Sequence, residues 1–243
     1  MAARFAGFPK SMLDFFRRLE KNNNREWFQA NKRVYEESVR APMEELVEAV
    51  NEELAKFAPE HGNEPKSAIY RIYRDTRFSN DKTPYKTHLG AIFPRRGLEK
   101  HGGGSYYFQV SAHEVGVAGG VYMPGKDELS AVRNQIAADP GGFERTVNAK
   151  KLTSLLGPLQ GEGLSRPPKG FSADQPGIEW IKKKQWYYYA ELDPALALGK
   201  EVLPEIVKRF QAARGFIEWM NEPLIARMKQ ARRDPLLAFP MKR

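Results

Sequence analysis

Cysteine is absent from this chain of 243 residues, and that absence alone removes several classes of function. Without thiols there is no disulfide, no thiolate zinc site, no iron–sulfur cluster and no cysteine nucleophile. Long apolar runs are also missing, because no stretch approaches the roughly 20 consecutive apolar residues that span a bilayer. The opening residues lack the apolar core of a secretory signal peptide. We therefore expect a soluble, cytoplasmic protein without a membrane partner.

Acidic side chains are outnumbered by basic ones. The chain has 39 lysine and arginine residues against 30 aspartate and glutamate residues, which gives a formal net charge of +9. Such a balance suits association with polyanions, but it does not by itself indicate nucleic acid binding. Hydrophobic residues at 41% and charged residues at 28% are ordinary for globular proteins, so the composition predicts a packed core and not a disordered chain.

Apolar residues recur at helical spacing from about residue 8 to 58, and again beyond Pro124. Asn24 is placed to cap a helix, Ser11 followed by Asp14 resembles a capping box, and Pro42 suits a first helical turn. After Pro124 the pattern predicts short helices, a loop rich in glycine and proline, and a C-terminal helix.

Period-two patterns occupy the interval from about residue 68 to 122. The segments "AIYRIYRD", "HLGAIFP", "YYFQVS" and "EVGVAGGVY" are short, rich in β-branched and aromatic residues, and separated by turn-forming residues. Their short links predict antiparallel pairing, since parallel strands need longer crossovers. A further strand, "QWYYYAELD", follows later. We predict an α+β fold: a single domain over residues 8–230, with a mostly antiparallel sheet flanked by N-terminal and C-terminal helices, and a tail at 231–243.

The segment "RIYRDTRFSNDKTPYK", residues 71–86 and here called the charged loop, has an unusual density of charge. It sets basic side chains and two aspartates around Tyr73, Phe78 and Tyr85. Guanidinium groups bind phosphates or carboxylates through paired donors, and lysine adds a mobile charge. This composition therefore indicates an anion site.

The candidate ligand-binding residues lie in the charged loop, together with one arginine of a later helix. They are Arg71, Arg74, Asp75, Arg77, Lys82, Tyr85, Lys86 and Arg133. Strand alternation would place Arg71 and Arg74 on opposite faces, so that at most part of the set serves one ligand. The expected ligand is a small molecule with a phosphate or carboxylate group. Whether the protein is an enzyme stays open.

The basic residues are also compatible with two further hypotheses. The basic surface as a whole would suit nucleic acid binding without sequence preference, and "WIKKKQWYYYAE" mixes lysines with aromatics as stacking platforms do. Alternatively, the aspartates pair with the arginines in structural salt bridges, which contribute about 0 to 1 kcal/mol each at a surface. No metal site or cofactor is predicted, because alternation scatters Asp75, Asp81 and His88, and no glycine-rich segment has the Walker spacing.

Several long motifs together resemble the bacterial and fungal family known as domain of unknown function 2461. The similarity rests on "FPKSMLDFFRRLEKNNNREWFQANKRVYEESVRAP", "RIYRDTRFSNDKTPYKTHLGAIF", "YYFQVSAHEVGVAGGVYMP" and "PPKGFSADQPGIEWIKKKQWYYYAEL". It covers about residues 8–229, and it implies an α+β domain of about this length without an established activity. The implied signature is the candidate set with Thr83 and Pro84 added. Gln175 stands where we expect relatives to have histidine before Pro176.

Overall fold

A computed structural model of the chain describes residues 4–77 and 79–233, without the side chains of 231–233. Contacts divide it into two compact units. The first unit comprises residues 4–93, 106–118 and 189–211, and the second comprises 94–105, 119–188 and 212–233. Phe78 and most of the predicted tail lie outside the described residues. The single-domain extent over 8–230 stays a prediction.

Helices open the first unit. Their bounds are α1 Ser11–Lys21, α2 Arg25–Ala30, α3 Lys32–Tyr35, α4 Ala41–Phe57 and α5 Pro65–Ala68, with a π-helical turn at Glu36–Arg40 and a 3-10 turn at Pro59–His61. As predicted, Asn24 caps α2, because its Oδ1 accepts the Trp27 N–H at 2.9 Å. The capping box at Ser11 was wrong: no side chain caps α1, and Ser11 Oγ donates to Ser38 Oγ at 2.8 Å.

As predicted, Pro42 lies in the first turn of a helix, α4, although this helix continues directly from the turn before it. The π-helical turn joins α3 directly to α4, and Pro42 is the second residue of α4. Proline has no N–H to donate to the carbonyl four residues earlier, which here belongs to Ser38. The π-helical turn covers this point of the ladder, so the helix continues past a residue that normally ends one.

In the described part of the chain, four strands form one sheet in chain order. They are β1 His88–Pro94, β2 Ser105–Ser111, β3 Val115–Val121 and β4 Trp186–Leu192, in the order β1-β2-β3-β4. Neighbouring strands run antiparallel. The predicted α+β fold with an antiparallel sheet is confirmed.

One sheet face in the first unit carries the core. Phe93 and Tyr106 are buried, and their rings lie 6.0 and 4.8 Å from the ring of Phe210. Burying a side chain of this size contributes about 1.5 to 3 kcal/mol. On the other face, which is half-buried and polar, Tyr107 Oη donates to Gln109 Oε1 at 2.7 Å.

The second unit packs short helices and part of a long one around its own core. Their bounds are α6 Lys126–Ala138, α7 Pro140–Val147, α8 Lys150–Leu156, α9 Ile178–Ile181 and α10 Val202–Arg233, of which residues 212–233 belong to this unit. Tyr188 is buried, its Oη donates to the Val147 carbonyl at 2.6 Å, and its ring meets Phe216 edge-on. Trp186 and Tyr188, two residues apart on β4, are both core residues.

The predicted strand "AIYRIYRD" was wrong. In its place are isolated antiparallel bridges, Ile69 to Ala91 and Tyr73 to Tyr85. Ile69 and Tyr73 are four residues apart, whereas their partners Ala91 and Tyr85 are six residues apart. No continuous ladder therefore joins the two bridges. Ile69 and Ile72 are both buried although they are three residues apart. A flat strand would send them to opposite faces, so the chain bends at Ile72.

Candidate functional site

The charged loop is held at its second arm by Asn23, in the turn between α1 and α2. The loop arms exchange bonds through Arg74 N–H to the Pro84 carbonyl and Lys86 N–H to the Ile72 carbonyl, at 2.9 and 2.8 Å. Tyr85 lies between these bonds, so its own N–H and C=O face away from the first arm. Asn23 satisfies both: Oδ1 accepts the Tyr85 N–H at 3.0 Å, and Nδ2 donates to the Tyr85 carbonyl at 2.9 Å.

Aromatic packing fixes the same point of the loop. The Tyr85 ring is 2% exposed and stacks on Phe28 of α2 with centroids 4.0 Å apart. Tyr73, opposite Tyr85 in the bridge, lies 5.3 Å from it, and its ring is about half exposed. Tyr85 is therefore an anchor of the loop in the core, and its side chain is not presented to a ligand.

Arg74 is paired inside the loop. Its Nη1 donates to Asp81 Oδ2 and to Thr83 Oγ1. Asp81 Oδ1 also accepts the Thr83 N–H at 2.9 Å and the Thr83 hydroxyl at 2.8 Å. The hydrogen bond from Arg74, with those from Thr83, lowers the pKa of Asp81 to about 2. This arrangement closes the turn and uses an arginine that we predicted to bind ligand.

The other end of the loop is closed in the same manner. Asp75 accepts Arg77 Nε at 3.0 Å and Nη2 at 2.8 Å, a bidentate pair, and also the Arg77 backbone N–H at 3.2 Å. The Arg77 side chain lowers the pKa of Asp75 to about 2. Lys82 Nζ donates to the Thr76 carbonyl at 2.9 Å. These three predicted residues are engaged within the loop.

Lys86 and Arg71 differ from the rest of the charged loop. Lys86 is half-buried, and its Nζ lies 5.0 Å from the centre of the Tyr70 ring, a cation–π contact. Within residues 4–77 and 79–233 neither Lys86 nor Arg71 has a hydrogen-bonded or ion-paired acceptor. Burial, and then the charge of Arg71, lower the pKa of the Lys86 ammonium. Asp75 interacts with Arg71 only at longer range, so neither cation has a directly bonded counter-ion in the described part of the protein.

His88 follows Lys86 at period two, as the first residue of β1. Burial lowers the pKa of its imidazole, the Lys86 charge lowers it further, and Glu114 acts in the opposite direction. Among the described residues no group hydrogen-bonds to the His88 ring. Glu114 is itself occupied: its Oε1 accepts Gln109 Nε2 and Tyr189 Oη, each at 2.5 Å. Burial and the neighbouring Lys86 ammonium therefore both favour the uncharged form of the imidazole.

Lys86 and His88 border an open cleft of about 400 Å³ in the first unit. Its walls carry charges of both signs and short polar side chains. The lining residues are Glu20, Asn23, Arg74, Asp81, Thr83, Tyr85, Lys86, Thr87 and His88. Glu20, near the end of α1, accepts His113 Nε2 at 2.8 and 3.0 Å through its two oxygens.

The structure brings together part of the predicted site. Arg74, Tyr85 and Lys86 border the cleft, whereas Arg133 lies in the second unit. Arg133 is buried, and it donates Nε to the Ile181 carbonyl at 2.8 Å and Nη2 to the Lys183 carbonyl at 3.0 Å. A cation at these carbonyls stabilises the C-terminal end of α9. The contacts of Arg133 thus give it a structural role in its own unit.

Sequence reasoning missed the residues that the cleft draws from outside the charged loop, above all Glu20, Asn23 and His88. Glu20 and Asn23 are about 50 or more residues away in sequence, and no local pattern signals their approach. A signal for His88 was present. Lys86 and His88 are two residues apart, and in an extended chain this spacing puts two side chains on the same side.

An antiparallel α+β fold with a small polar cleft defines the general class of this protein. The sequence family described as a conserved hypothetical protein, DUF2461, matches residues 11–219, and the chain belongs to this family. A search of curated proteins found no match. Within the described residues no helix has the length and apolar character to cross a membrane, and no group of three or more histidine or acidic side chains is arranged to hold a metal ion.

Proposed function

We propose that this protein binds a small molecule through a phosphate or carboxylate group, placed in the cleft against Lys86 and His88. One observation carries the proposal: Lys86 and Arg71 are adjacent cations without an acceptor in the described part of the chain. Removing an ammonium from water without a counter-ion costs free energy, and a second cation nearby increases that cost. A bound anion offsets both terms.

The remaining charges of the loop support a division of roles. Arg74 is neutralised by Asp81 in the cleft wall, and Arg77 is neutralised by Asp75 outside it, so neither pair adds much net charge to the cleft. Lys86 would supply a direct charge-assisted hydrogen bond, and His88 a further donor once protonated. Arg71 would act at longer range, since it affects the Lys86 ammonium but does not border the cleft.

Two alternatives receive less support. Nucleic acid binding through "WIKKKQWYYYAE" requires lysines that face a phosphate backbone. In the second unit, however, Lys182 donates to Glu179, Lys183 to the Gly161 carbonyl and Lys184 to Glu162. A purely structural loop accounts for the pairs of Arg74 and Arg77, but it gives Lys86 only the Tyr70 ring and no acceptor among the described residues.

Matched lysine variants test the proposal. Lys86→Met and Lys82→Met remove the same charge from the same loop, and Lys82 lies outside the cleft. We expect binding of inorganic phosphate, acetate and short alkyl phosphates, followed by calorimetry and ligand-detected NMR. Lys86→Met should weaken it about tenfold or more, as expected for a lost charge-assisted hydrogen bond.

The Lys82→Met variant is the control for the loss of one positive charge. Lys82→Met removes a bond to the Thr76 carbonyl at an exposed position, so its anion affinity should stay within about twofold of the parent protein. Equal losses in the two variants would mean that net charge alone attracts anions. Absence of binding to the parent protein at millimolar anion would refute the proposed function.

A further inference from the structure

Resting on the proposed anion site, we infer that the cleft takes a small zwitterion, whose ammonium group binds at Glu20 while its phosphate or carboxylate binds at Lys86. The cleft has walls of both signs: Glu20 and Asp81 border it together with Arg74 and Lys86. A molecule with an anionic group alone would gain from Lys86 and be repelled by the carboxylates.

The charges bordering the cleft do not contribute equally. Asp81 has little capacity to bind a ligand, because Arg74 and Thr83 together supply three donors to its two oxygens. Arg74 and Asp81 therefore cancel as a pair. Lys86 and Glu20 remain, and they have opposite signs.

Glu20 has acceptor capacity to spare. Both of its oxygens lie within 3.0 Å of one donor, His113 Nε2. A carboxylate has about four lone-pair directions, so a single imidazole donor leaves most of them open. The side chain of Glu20 is 29% exposed, whereas that of His113 is 71% exposed and does not border the cleft. An ammonium group in the cleft could thus reach Glu20 without displacing His113, which does not border the cleft.

The volume limits the size of the zwitterion. At about 400 Å³ the cleft is at the low end of the range for ligand pockets, roughly 300 to 1,000 Å³. Its lining has no large exposed apolar surface, since the Tyr85 ring is buried in the aromatic core. Amino acids, aminoalkyl phosphates and molecules of similar size are the chemical class that fits both the charges and the volume.

Pairs of ligands that differ by one group isolate the ammonium contact. O-Phosphoethanolamine and n-propyl phosphate have the same length and differ by an ammonium in place of a methyl group, and β-alanine and butyrate form the corresponding carboxylate pair. In the parent protein we expect the ammonium member of at least one pair to bind about fivefold to tenfold more tightly, by ligand-detected NMR titration. The phosphate and carboxylate pairs show which anionic group the basic end accepts.

Two variants assign the preference to Glu20. Glu20→Gln keeps the size of the side chain and should reduce the ammonium preference to about one. His113→Gln is the matched control, and it should retain the preference because the Glu20 carboxylate remains. Equal binding of both members of each pair to the parent protein, or a preference that survives in Glu20→Gln, would overturn the inference while leaving the anion site intact. Failure of all four ligands to bind would instead overturn the proposed function and the inference with it.

Discussion

Replacing Asn23 by alanine should destabilise the first unit far more than replacing either neighbouring asparagine. Asn22, Asn23 and Asn24 are consecutive, of one residue type and in one turn, yet their side chains do different things. Asn22 Nδ2 donates to the exposed Arg18 carbonyl at 2.9 Å. Asn24 caps α2, and Asn23 holds both backbone groups of Tyr85.

The three costs follow from these partners. Asn23→Ala removes two hydrogen bonds and leaves the N–H and C=O of a residue 2% exposed without their partner, which costs about 2 to 4 kcal/mol. Asn24→Ala removes a helix cap, worth about 1 kcal/mol. Asn22→Ala changes a surface position and should stay within about 0.5 kcal/mol. For a chain of this size, the Asn23 variant should melt roughly 4 to 16 °C lower.

Urea denaturation of the three variants measures the order, and hydrogen exchange supplies a local check. The Tyr85 amide donates to Asn23 Oδ1, so its exchange should accelerate in Asn23→Ala and remain slow in Asn22→Ala. A cost for Asn23→Ala no greater than that for Asn22→Ala would refute this prediction, since Asn23 would then contribute no more than a surface side chain.

Further predictions concern pH. In a carboxyl-detected NMR titration Asp81 should titrate near pH 2, and Arg74→Met should raise its midpoint toward the ordinary value of about 3.9. Because the folded pKa is depressed, this pairing stabilises the loop fully above about pH 4 and is lost as the pH falls toward 2; an unchanged midpoint in Arg74→Met would contradict it. His88 should take up a proton when an anion binds beside it, since burial and Lys86 lower the pKa of the free imidazole and an anion reverses this. Affinity should therefore rise as the pH falls through the pKa of His88 in the complex, and calorimetry in buffers of different ionisation enthalpy should detect uptake that is lost in His88→Asn.

Local patterns predicted the regular elements well, because each depends on neighbours in sequence. Asn24 caps its helix through a bond within three residues, and β1, β2, β3 and β4 all follow period-two segments. The strand prediction was wrong where the local sequence pattern favoured one backbone conformation and packing in the core required another. "AIYRIYRD" has the composition of a strand, but burial of both Ile69 and Ile72 bends it.

The candidate site was predicted in part, for a physical reason. Composition locates charge, but it does not show which charges are neutralised. The pairing of Arg74 with Asp81 depends on the conformation of the turn between them, which the sequence pattern did not predict. Residues from a distant helix, such as Glu20, enter the cleft through tertiary packing alone. Period-two spacing from Lys86 to His88 was the one local clue, and it concerned a pair that charge density did not single out.

Charge density and unneutralised charge are different quantities: within the charged loop Arg74 and Arg77 are ion-paired, whereas Lys86 has no ion-paired acceptor among the described residues. In the most densely charged part of the loop, Arg74, Arg77 and Lys82 all donate hydrogen bonds to acceptors within the loop. These bonds fix the shape of the loop and leave its cations less able to bind a ligand. Lys86 lies just beyond the turn, where the chain enters β1 and the buried Tyr85 fixes its position. Because Lys86 has no hydrogen-bonded or ion-paired acceptor among the described residues, its charge is available to a ligand. The Arg74–Asp81 pair thus forms part of the cleft wall, and we propose that a ligand binds beside it, at Lys86 and His88.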